Sequence, residues 1–69
     1  MSVIAQARAA AAYLRAEADF NRSWTDGRRG AQWKSTPEYV ARRLEVAQER
    51  DAWAAAIDAL ASLAQGAAS

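Results

Sequence analysis

Twenty of the 69 residues are alanine, and no other feature of the chain narrows its fold as far. Alanine is the strongest helix former, yet burying it removes few carbons from water, at about 25 cal/mol per Å². The larger apolar side chains number sixteen: Met1, nine valines, isoleucines and leucines, and six aromatics. A single domain this short already buries only about 60% of its unfolded surface. Small scaffolds make up such a deficit with disulfides, a bound metal or association with another chain. Cysteine and histidine are both absent, which excludes disulfides and His/Cys metal sites. Association with a second copy is the route left open. The expectation is one helical domain over residues 1–69 that works as a homodimer.

The same absences weigh against catalysis. Histidine is the commonest general base and cysteine the best nucleophile at neutral pH. A single short domain also offers few walls for a pocket. The chain is therefore read as a binding or structural protein, not an enzyme, with no cofactor and no metal. Its start, Met1-Ser-Val-Ile-Ala-Gln, lacks the basic opening of a signal peptide, and Arg8 and Arg15 interrupt the apolar stretch. Nothing approaches the roughly 20 apolar residues of a membrane span. These features predict a cytoplasmic protein without membrane contact.

Two helices account for most of the chain. Residues 3–24 contain no glycine or proline. At 100° per residue, Val3, Ile4, Ala7, Ala11, Leu14 and Ala18 share one face, with Arg8, Arg15, Asp19 and Arg22 expected on the opposite side. A narrower strip carries Tyr13, Phe20 and Trp24. Residues 25–35 form a basic connection, in which Asp26-Gly27 is a turn dipeptide and Gly27 a candidate helix stop. The second helix starts at Ser35-Thr36-Pro37-Glu38. Either Ser35 and Glu38 make a capping box, or Thr36 is the N-cap with Pro37 in the first turn. The helix is expected to run from about 37 to 65, leaving 66–69 as a frayed tail. Tyr39, Val46, Trp53 and Leu60 recur every seven residues along it, and Val40, Leu44, Ala47 and Ala54 mark a second apolar face. One face can meet the first helix and the other a second copy. The fold expected is all-α: a two-helix antiparallel hairpin that assembles as a homodimeric four-helix arrangement. Ile4, Leu14, Val46, Trp53, Ile57 and Leu60 are assigned to its core or dimer contact.

Charge is unevenly spread around a net value of +1. Residues 22–43 carry six basic groups against two acidic ones. Residues 44–69 carry Arg50 against Glu45, Glu49, Asp51 and Asp58. The bend is thus basic and the far end of the second helix acidic. The bend also holds Trp24, Trp33 and Tyr39, and Trp, Tyr and Arg are the residue types enriched at binding hot spots. Arg28, Arg29, Trp33, Lys34, Tyr39, Arg42 and Arg43 are accordingly the candidate partner-binding residues. Glu45 and Glu49 stand four residues apart, but nothing in the sequence desolvates them for acid–base chemistry.

Two functions suit a basic, aromatic bend. Nucleic-acid binding fits its charge. It fits the rest less well: a DNA-binding helix-turn-helix has a turn of about 3–4 residues, and the acidic half opposes phosphate. A protein-interaction module fits both halves, since a dipolar surface orients a partner. The whole chain also resembles the small anti-activator proteins of temperate phages that suppress host quorum sensing. The likeness lies in its length, its alanine-rich hairpin, and the Trp24–Tyr39 segment with Gly27-Arg28-Arg29-Gly30. That resemblance implies a helical dimer that binds the DNA-binding region of a host LuxR-type activator, with a type IV pilus assembly ATPase as a second partner. It assigns no role to any single residue. A small DNA-binding or phage regulatory protein is the alternative.

Overall fold

The computed structural model describes residues 2–26 and 36–68. They form two helices, α1 (Val3–Ser23) and α2 (Pro37–Ala68), packed antiparallel as a hairpin. The molecule measures 51 × 19 × 12 Å, two helices wide and one helix thick. Both broad sides of such a slab face outward.

Side-chain hydroxyls set the helix limits. Ser2 caps α1, its Oγ accepting from the Ala5 N–H at 3.0 Å. At the other end the Ser23 Oγ donates to the Phe20 carbonyl at 2.5 Å. The Thr25 hydroxyl and the Thr25 and Asp26 N–H groups all reach the Arg22 carbonyl. These bonds end the helix at Ser23, with Trp24 still right-handed at φ −82°. The sequence placed the stop at Gly27, which lies outside the described residues. For α2, Thr36 is the cap: its Oγ1 accepts from the Tyr39 N–H at 3.1 Å, with Pro37 in the first turn. At the far end the helix continues through Gly66 to Ala68 instead of fraying from 66. A glycine costs a helix about 1 kcal/mol, and the alanines around it are the residues best able to carry the helix past it.

Alanine makes the seam. The buried apolar residues are Ala11 and Ala18 on α1 and Ala47, Ala54 and Ala61 on α2. Each set repeats every seven residues, the spacing of a coiled-coil contact line. Ile4 and Val40 extend the two lines by one heptad, and Ala7 and Leu14 on α1 and Val46 and Ile57 on α2 flank them, all half-buried. The polar residues Asn21 and Ser23 are buried at its end. Among the described residues no large side chain is fully buried.

Eleven residues longer than α1, α2 outruns it by about 16 Å. Arg8 bonds Ser62 and Gln65, and Arg22 pairs with Asp51, so the tail of α2 lies beside the start of α1. The excess therefore falls at the start of α2, next to the bend.

Candidate functional site

The two broad sides of the hairpin differ in chemistry. One side carries a ladder of ion pairs. Arg8 and Arg15 both reach Asp58, at 3.5 and 2.6 Å, and Arg22 reaches Asp51. The three arginines are seven residues apart, so they run parallel to Ala11 and Ala18 along one border of the seam. The sequence had set them on the side of α1 away from the packed face. A step of about 40–60° from the alanine line, by the 100° rule, puts them within reach of α2 instead.

The other side is apolar. Phe20 meets Trp24 edge-to-face at 6.0 Å. Tyr13 stands seven residues before Phe20 on the same stripe and is 67% exposed. On α2 the matching stripe is Tyr39, Val46, Trp53 and Leu60, with Leu63 beside its end. Arg50 places Glu17 and Trp53 on the same side, because it pairs with Glu17 of α1 while lying 4.6 Å over the Trp53 ring. Tyr13 and Phe20, two residues on from Ala11 and Ala18, point about 160° from the seam, toward the outer edge of that side. Trp53 is 49% exposed, Leu60 66% and Leu63 71%. The Val40–Ala47–Ala54 face is thus the one packed on α1, and the heptad Tyr39–Leu60 read from sequence is open at Trp53 and Leu60, while Tyr39 and Val46 are half-buried. Ile4, Leu14, Val46 and Ile57 line the seam, whereas Trp53 and Leu60 stand out from it.

Toward the bend this apolar side ends in a cluster around Arg43. Its Nε donates to the Tyr39 hydroxyl and its Nη1 to the Asn21 Oδ1, both at 2.9 Å. Its guanidinium lies 5.6 Å from the Trp24 ring centroid and 5.1 Å from that of Tyr39. Arg42, one step round the helix, is exposed and pairs with Glu45 at 2.5 Å. Of the candidate binding residues, the structure gathers Tyr39 and Arg43 and leaves Arg42 apart. Arg28, Arg29, Trp33 and Lys34 lie outside the described residues. Sequence reasoning did not single out Asn21. Its signal was available: a lone polar residue seven positions after Leu14, on the line that flanks the buried alanines.

Local pairing offsets most of the described charge. Glu49 is held by Arg50 at 2.6 Å, and Glu45, Asp51 and Asp58 each have an arginine partner. The described residues enclose no cavity and contain no cluster of metal-ligating side chains. No described helix is long and apolar enough to cross a membrane. Comparison with protein-family models, curated proteins and solved structures returned no match.

Proposed function

We propose that this chain is a non-catalytic protein-binding hairpin that acts as a homodimer, with the function its phage anti-activator resemblance implies. It binds the DNA-binding region of a LuxR-type activator and blocks that activator's engagement of DNA. The observation that carries the reading is the sorting of side chains. One side bears Trp53 and Leu60 in the open, with Tyr13, Phe20 and Leu63 along its outer edges, and runs into an aromatic, cationic end at Trp24, Tyr39 and Arg43. Exposed apolar area of this kind marks an interaction surface. Its middle suits a second copy, because among the described residues the seam holds no apolar side chain but alanine at full burial and needs further apolar contact to hold. Its aromatic end then remains for the partner.

The pairing of charges bears on which surface makes that contact. Glu45, Glu49, Asp51 and Asp58 are each engaged by an arginine of the same chain. That weakens the case for an acidic helix laid over a basic DNA-reading surface and favours the bend. It also weakens the alternative of direct DNA binding, since Arg8, Arg15, Arg22, Arg42 and Arg50 are already matched to carboxylates. A gel-shift competition tests the reading. Added to a LuxR-type activator on its operator, the protein is expected to release the DNA without shifting it. If the protein itself retards the duplex, with an affinity that falls steeply as salt rises, the DNA-binding alternative is correct instead.

A further inference from the structure

We infer that Arg43 is a positioning residue of the binding end: it fixes the Trp24 and Tyr39 rings as one ledge and does not itself touch the partner. The inference rests on the reading that this end binds protein. It starts from the mismatch in helix length. α1 stops at Ser23, while α2 begins about 16 Å further out along the bend side. Tyr39 belongs to this overhang and Trp24 to the end of α1. Among the described residues no alanine seam joins them, because Ala18 and Ala47 are the buried alanines nearest the bend.

Arg43 spans the gap. It donates along α2 to the Tyr39 hydroxyl and across to Asn21, both at 2.9 Å, and both rings lie within 6 Å of its guanidinium carbon. Asn21 is itself anchored: it is buried, and its Nδ2 donates to the Glu17 carbonyl at 2.8 Å. The chain of bonds thus runs from the α1 backbone through Asn21 and Arg43 to the Tyr39 hydroxyl. Arg43 also differs from its neighbours in what it bonds. Arg42 and Arg50 pair with carboxylates, whereas Arg43 bonds neutral oxygens and stacks near two rings. A half-buried cation held this way interacts with ring faces more strongly than a solvated one. Only a planar guanidinium serves two acceptors and two rings together; an ammonium is a point charge on a flexible stem.

The test uses the full chain and, as probe, the purified DNA-binding domain of a LuxR-type activator, with affinity measured by calorimetry. Arg43→Lys is expected to keep the wild-type helical circular dichroism and to bind about tenfold more weakly, the scale of a charged hydrogen bond. In a Tyr39→Ala background, Arg43→Lys is expected to cost less than it does alone, since one of the two rings it holds is gone. Full binding by Arg43→Lys overturns the inference, and so do losses that simply add, which mean that Arg43 contacts the partner itself. A second arm needs no partner. Arg43→Lys is expected to move the NMR signals of the Tyr39 ring and the Trp24 indole together, and unmoved signals overturn the inference. If the wild type fails to bind the probe, the proposed function fails, and the ring signals still decide the role of Arg43.

Discussion

Ala54 is fully buried where the two helices meet, and its neighbours along α2, Ala47 and Ala61, repeat the arrangement one heptad away on either side. A larger side chain there must push the helices apart along their whole contact, since the seam is a single line. Ala54→Leu is therefore expected to destabilise the fold by about 1–3 kcal/mol, the usual penalty for overpacking. Ala55 is exposed on the same turn, and Ala55→Leu is expected to stay within about 0.5 kcal/mol. Thermal melting of the two variants checks the contrast; equal melting temperatures would mean that the seam is not where stability lies. The ladder residues behave differently. Asp58 serves both Arg8 and Arg15, but those arginines are about half exposed. Solvent screens such pairs, so Asp58→Asn is expected to cost under about 1 kcal/mol, and added salt to shrink the difference.

At the scale of the helices, the start of α2 was the most legible part of the sequence. Pro37 and its preceding hydroxyls confined the cap to two residues, and the structure selects Thr36. Thr36→Ala is expected to lower stability by about 1 kcal/mol, while Gly66→Ala is expected to raise it by a similar amount at most. A Cβ at Gly66 meets nothing within 4 Å, so the gain is purely one of helix propensity. Urea titration of both variants reads the opposite shifts; a Gly66→Ala variant that unfolds more easily would show that the last turn of α2 is not helical in solution. The two-helix hairpin itself was also legible, because alanine, the two glycines of the connection and the heptads all agree. The sidedness of the hairpin was not. Each helix read alone shows stripes, but which stripe is covered depends on how the two helices are paired. Arg8, Arg15 and Arg22 illustrate the point: on α1 alone they form a solvated row, and only Asp51 and Asp58 turn that row into a border of the seam. Helix lengths likewise revealed an overhang without saying at which end it falls. The bonds of Arg8 to Ser62 and Gln65 fix that, and with it the place of Tyr39 beyond the end of α1.

For the whole molecule, the decisive quantity is how much apolar surface one hairpin can hide. A slab 12 Å thick has a seam in place of an enclosed interior, and among the described residues the buried apolar set is five alanines. Backbone ordering alone opposes folding by about 1–2 kcal/mol per residue, and alanine contacts offset little of it. Folding and pairing are thus expected to be coupled, with the side bearing Trp53 and Leu60 turned toward its copy. Sedimentation equilibrium should give twice the chain mass, and the melting temperature should rise with protein concentration, as it does when only the folded state associates. Leu60→Glu places a charge in the proposed contact and is expected to shift the protein toward monomer and lower its melting temperature. Leu44→Glu is the matched control. Leu44 is 42% exposed, but it occupies the same heptad position as Asp51 and Asp58, on the ladder side. It is expected to leave the dimer intact. The opposite ranking of these two variants would place the contact on the ladder side, and a wild-type monomer that melts cooperatively at a fixed temperature would show that the alanine seam suffices alone.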